Sequence, residues 1–304
     1  MMTPELDRRA LLASGAVGAA FAAASPAYAR RSDVPVAKLP LGTQARHFVR
    51  MHSSIAGEAI LTNEGIIYGR MPGELPKRLF GFRSLLAVRG SEIAPDVFRI
   101  KQREAMHYHD LESGAPLGNF LNPYTNEQLI SVGYVSPLNT YFFDRTGSYA
   151  RTLPESRDGS LKLDWRTGNR RVVVTESRFN SFPAGITESE FPHAYAGPER
   201  LSVDILTYEA AATDLAGVAP FVDSSLHMTS DGPWPYWLMM GRRPGGALWV
   251  GNGWKYRTMS RAPNEIKLTT EQVYPNFVSD PWSFSQTEFG TAAQLRRLRA
   301  AGKI

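Results

Sequence analysis

His107 and His109 flank Tyr108 in a run of residues with strand character. Successive side chains of a strand project to opposite faces, so both imidazoles share one face. A pair at that spacing can ligate a metal once a neighbouring strand adds a carboxylate. His109 can instead move a proton, since an ordinary imidazole titrates near neutrality; on a solvated face the pair does neither. Arg46, Arg50, Arg70, Arg78, Arg83 and Arg89 crowd one short stretch. Inside a barrel, a guanidinium is a fork-shaped clamp for a carboxylate or phenolate, and Arg50 and Arg83 are the candidates. On the surface the same residues would pair with Glu58, Glu74 and Glu92.

The segment Asp231-Gly232-Pro233-Trp234-Pro235-Tyr236-Trp237 is unusual in composition. Two prolines restrict the chain, while three aromatics offer flat apolar area at low entropic cost. Trp234 and Trp237 can wall a pocket for a ring-bearing ligand, or plug the open end of a barrel as core. Tyr236 and Tyr208 are candidate phenolic proton carriers. Asp204 would orient the carrier, and Asp223 with His227 is a reserve pair. A glycine-rich phosphate loop, a Gly-x-Ser-x-Gly elbow and a dinucleotide fingerprint are all missing from the sequence, which argues against nucleotide-using enzymes and common serine hydrolases.

These residues fall on elements whose pattern is mostly β. Ala45–Ile55 has helical spacing. Strand patterns follow at Ala59–Arg70, Lys77–Arg89, Asp96–Leu111, Glu127–Val135, Asn139–Arg145, Ser160–Trp165, Arg170–Phe179, Arg200–Ala212, Phe221–Met228 and Gly246–Tyr256, punctuated by Gly, Pro, Asn and Asp. Gly251-Asn252-Gly253 has the composition of a hairpin turn. Thr269–Tyr274 and Thr291–Ala301 are helical candidates near the end. With no βαβ alternation, the expected fold is mainly β: a large antiparallel barrel or half-barrel with a few covering α-helices.

Composition bounds the chemistry further. The 304 residues include 34 Lys plus Arg, 29 Asp plus Glu and no cysteine. Thiolate metal sites, disulfides and a cysteine nucleophile are therefore excluded. The bases are scattered rather than striped, so no nucleic-acid partner is expected. Arg8-Arg9 precede the uncharged stretch Ala10–Ala24 and the small-residue site Ala27-Tyr28-Ala29. Residues 1–29 thus have the layout of a twin-arginine-type signal peptide, with 30–304 as a single mainly-β domain. The apolar stretch falls short of the ~20 residues a membrane-spanning helix needs. The protein is expected in the periplasm, with no stable membrane span.

Several motifs in order carry a resemblance: Phe48-Val49-Arg50-Met51, Gly65-Ile66-Ile67-Tyr68, Pro72-Gly73-Glu74, Leu79-Phe80-Gly81, Tyr108–Gly114, Asn122–Glu127, Pro233–Gly245 and Tyr274-Pro275-Asn276-Phe277. Together they resemble the exported bacterial family known as domain of unknown function 1838 (DUF1838). The resemblance covers nearly all of the chain after residue 29. It implies one domain and frequent twin-arginine export, and it brings no catalytic residues. Asn126 stands where the pattern more usually has Gly.

The residues themselves point to a cofactor-independent lyase or isomerase acting on a small apolar, aromatic acid. Arg50 and Arg83 would clamp the anion, and Tyr236 or His109 would move the proton. One alternative is a periplasmic binding protein for a hydrophobic small molecule, whose pocket would share most of that lining. Another is a metal-dependent enzyme using His107 and His109.

Overall fold

Helix-compatible spacing in the first described segment and strict alternation in the segments after it divide the molecule into a helical plug and a β wall. The structure is a computed structural model that describes residues 39–146, 148–152, 158–180, 185–198, 201–284 and 290–304. They belong to one unit, Lys38–Ile304. The expected leader, residues 1–29, lies outside the described residues.

Helix α1 spans Leu41–His52. It is followed by long strands β1 (Ala56–Arg70), β2 (Lys77–Ala94) and β3 (Val97–His109), and by a small hairpin of β4 (Asn119–Leu121) and β5 (Gln128–Ile130). Next come β6 (Tyr134–Val135), β7 (Asn139–Phe143), β8 (Ser148–Thr152), β9 (Asp158–Thr167), β10 (Arg170–Asn180) and β11 (Leu201–Ala211). Helix α2 (Ala212–Ala216) leads to β12 (Ser225–Gly232) and β13 (Gly246–Tyr256), and α3 (Asn264–Val273) and α4 (Thr291–Ala300) complete the order.

Every pairing in the main sheet is antiparallel. From β1 the neighbours run through β13, β12, β11, β10, β9, β8 and β7 to β3. β3 also pairs with β2 along its length, from Gly81↔His109 to Ala94↔Val97, and β2 pairs with β1. The neighbours therefore lead back to β1, and the wall is a barrel-like curl. This is the mainly β architecture that the strand pattern predicts. Among the described residues no helix is long and apolar enough to cross a membrane.

Alternation gives each strand an inner and an outer face. On the inside, Ala59, Leu61 and Val88 join α1 residues Ala45, Phe48, Val49 and Met51 in one core cluster. Ile67, Phe80, Phe82 and Tyr108 form a second cluster with Trp234, Trp237 and Leu238 at the other end. On the outside, Ile60, Leu85, Ala87 and Ala105 are covered by Ile266 of α3 and by Tyr274, Phe277 and Phe284.

Several local expectations need correction. Gly251-Asn252-Gly253 is no turn: it lies inside β13, opposite Gly65, Glu64 and Asn63 of β1. A Cβ at Gly65 would collide with the Val250 carbonyl, so glycine is needed there for close approach of two strands. The Glu127–Val135 pattern splits into β5 and β6, and β12 begins only at Ser225. The three-residue β4 and β8 (Ser148–Thr152) carry too little pattern to be seen beforehand.

Candidate functional site

Between the two inner clusters lies a half-open cavity of about 180 Å³. Its apolar lining includes Phe48, Leu61, Leu86, Phe143, Leu206 and Leu226. Its polar lining comes from inward positions of five strands: Asn63 of β1, Gln102 and Glu104 of β3, Asn139 of β7, Thr175 and Ser177 of β10, and Asp204 and Tyr208 of β11. His52, at the end of α1, completes it.

Helix α1 reaches this position because its C-terminal turn is anchored twice. Buried Lys255 of β13 donates through Nζ to the Ser53 carbonyl at 2.9 Å and to the Arg50 carbonyl. A cation placed on the last carbonyls of a helix satisfies acceptors that the helix itself leaves open. Burial pushes the Lys255 amine well below the usual lysine range. Arg50 reaches the other way, donating to the carbonyls of Ala219 (2.8 Å), Leu215 (2.7 Å) and Asp214 (2.9 Å). These bonds tie α1 to α2 and to the chain that follows it.

So held, His52 meets Tyr208 across the cavity wall. Its Nδ1 is 2.8 Å from the Tyr208 hydroxyl, and its Nε2 is 3.1 Å from Oε1 of Gln102. An amide oxygen only accepts, so Nε2 carries the proton and Nδ1 takes the bond from the Tyr208 O–H. Phe48 stacks on the imidazole at 5.4 Å between centroids, and the Tyr208 ring meets it edge-on at 5.5 Å. Burial lowers the His52 pKa to about 4, helped by the Lys255 charge and opposed by the Gln102 bond. The imidazole is therefore neutral at pH 7, with Nδ1 available as a proton acceptor. Asp204, on the same wall, accepts a 2.6 Å bond from the Ser230 hydroxyl.

Of the residues singled out in the sequence, Tyr208 and Asp204 come together at this cavity. Arg50 lies beneath it, with its guanidinium committed to the three backbone carbonyls. Arg83 is on the outer face, 2.8 Å from Glu265 and 3.4 Å from Glu64. His107 and His109 share that outer face, as alternation demands, and Arg83 pairs directly opposite His107. Burial lowers the His107 pKa to about 4, with a further push from Arg83. His109 is lowered in the same direction and by the same two causes. Among the described residues no group of three or more His, Asp or Glu is placed to hold a metal.

His227 is exposed on the outer face of β12, 2.6 Å from the Asn252 side-chain oxygen. Asp223 is exposed in the chain before β12. Trp234 and Trp237 are buried in the far cluster rather than on the cavity. Trp237 packs on Phe80 at 5.0 Å, Tyr108 at 5.3 Å and Phe120 at 5.7 Å, so the aromatic loop is a plug. Tyr236 packs at the edge of that cluster.

Sequence reasoning passed over His52, Gln102, Glu104, Asn63, Thr175 and Ser177. The signal for them was polar residues repeated at one parity within otherwise apolar strands, as at Thr175 and Ser177 of β10.

A model of the family described as "Protein of unknown function (DUF1838)" matches residues 56–295. No curated protein matches the chain, and no solved structure does.

Proposed function

We propose that this chain, which belongs to the DUF1838 family, is a lyase or isomerase that moves a proton on a small molecule held inside the curled sheet. The observation that carries this reading is the buried His52 Nδ1···Tyr208 hydroxyl bond, 2.8 Å long, at the wall of the cavity. Tyr208 oxygen takes a proton from the ligand while its own proton passes to Nδ1 of His52. The imidazolium keeps its Nε2–H bond to Gln102. Reversing the transfer returns the proton to another atom of the ligand, which is an isomerisation, or to a departing group, which is an elimination. Protic steps of this kind need a positioned carrier and a site of low polarity, and no redox or electron-sink group. The anion clamp at Arg50 and Arg83 is not part of this reading, because neither side chain lines the cavity.

Incubation in D₂O with a panel of single-ring ketones, alcohols and amines, followed by NMR, tests it. The wild-type protein is expected to convert at least one, or to exchange its hydrogens for deuterium. Tyr208→Phe keeps the buried ring and should lose that activity by roughly 10²–10⁴-fold. Activity should also fall on the acid side, as His52 becomes protonated near pH 4. Ligands bound but neither exchanged nor converted would show a binding protein instead.

We also propose that the protein is exported and cut after Ala29, on the charged, apolar and small-residue layout of residues 1–29. N-terminal sequencing of protein recovered from the periplasm should then begin at Arg30, and recovery of uncut protein in the cytoplasm alone would contradict export.

A further inference from the structure

Asn63 sits in the middle of β1, with its side chain on the cavity. It is 4% exposed, and its Oδ1 has no hydrogen-bond partner among the described residues. Its Nδ2 meets only the sulfur of Met228, at 3.2 Å. Directly across the pairing, on the same face, lies Ser84, whose buried Oγ is also without a partner. Buried polar groups in proteins are almost always bonded, and one left open costs its full desolvation. Of the two, Asn63 lines the cavity, and its open Oδ1 is the acceptor a ligand there can satisfy.

Beside the Asn63 amide the two strands pack closely, and only a glycine fits. Gly251 of β13 presents no side chain here; a Cβ on it would stand 2.9 Å from Asn63 Oδ1 and 2.7 Å from the tip of Phe82. The nearby charged lining, Glu104 and Asp204, consists of carboxylates. An open amide oxygen asks for a hydrogen donor, and the two carboxylates favour a neutral or cationic group over an anion.

We infer that Asn63 reads a hydrogen-bond-donating head group, a hydroxyl or an ammonium, on a ligand whose apolar body is one ring in size. This names the ligand class for the cavity and rests on the reading of that cavity as the substrate site. The size follows from the volume: an apolar cavity of about 150 Å³ accommodates benzene, and this one is about 180 Å³. Asn63 Oδ1 accepts from the head group. A carboxylate ligand would be repelled by Glu104 and Asp204 and would offer no donor to Asn63 Oδ1, so it is disfavoured.

Calorimetric titration with four probes of one shape tests this: toluene, benzyl alcohol, benzylamine and benzoate. Benzyl alcohol or benzylamine should bind at least about tenfold more tightly than toluene and benzoate, the factor that one hydrogen bond to a buried group supplies. Which of the two leads separates a neutral hydroxyl from an ammonium. Asn63→Leu, close in shape and apolar, should bring toluene level with them. It should also raise the thermal midpoint of the empty protein, because an open amide is removed; a purely structural asparagine would move it the other way. Toluene or benzoate binding as well as the alcohol and amine overturns the inference, as does an unchanged order in Asn63→Leu or no binding by any probe. Tyr208→Phe should keep the probe order, so failure of the proton-carrier reading and failure of this one are told apart.

Discussion

Arg50 shows how the partners of a side chain decide its role. A guanidinium offers five N–H donors in a rigid fork, and here three backbone carbonyls take them, two of them near the end of α2. The residue belongs to the support of α1 and acts on the site only by fixing where His52 stands. Arg50→Lys keeps the charge but cannot span three acceptors. It should destabilise the fold by about 2–4 kcal/mol, the range for opening buried bonds to a charged donor, read as a lower denaturant midpoint. A midpoint within experimental error of wild type would show that water replaces those bonds. The residue types were visible in the sequence, but the partners were not, because Asp214, Leu215 and Ala219 lie more than 160 positions away.

The elements were legible wherever alternation was long. β1, β2, β3, β10, β11 and β13 all fall near the patterned stretches, because each has one face against a core. The direction of β11 was the obscure part. Its odd set, Leu201, Val203 and Ile205, is the more apolar, yet Leu201 and Ile205 are exposed. Its even set, with Asp204, Leu206 and Tyr208, faces the cavity. A polar interior inverts the usual rule that the apolar face turns inward, and that is why most of the cavity lining escaped notice. The aromatic loop runs the opposite way: its tryptophans read equally as wall or plug, and packing makes them a plug. Trp237→Ala should therefore cost about 3–5 kcal/mol, as large-to-small changes in a core do. Among molecules still folded, as counted by circular dichroism, ligand affinity should stay within about threefold. A stable Trp237→Ala protein that had lost affinity would return the loop to the pocket wall.

At the scale of the whole molecule, burial of histidine links the inner and outer faces of the sheet to one acid response. His52 inside and His107 outside are each held at a pKa of about 4, against 6.5 when unburied, with burial the main cause at both. Above pH 6.5 both are neutral whether the chain is folded or not, and neither affects stability. Between pH 6.5 and 4 the unfolded chain takes up protons that the folded one refuses, so stability falls as pH falls. Below about 4 the folded protein binds them too, and the loss levels off. Each residue can remove up to about 3 kcal/mol over that window, at roughly 1.4 kcal/mol per pH unit. Urea midpoints between pH 7 and 4 should fall accordingly, beginning before ordinary exposed carboxylates titrate. The groups facing His107 are Arg83 and His109, and Lys255 is the cation that acts on His52, so added salt should soften the response only in part. His107→Phe fills the same space with no titrating group and should make the slope clearly shallower, leaving the parts that His52 and His109 contribute. The same slope in that variant as in wild type would mean that His107 opens to solvent before it takes a proton, and the outer half of this response would be lost.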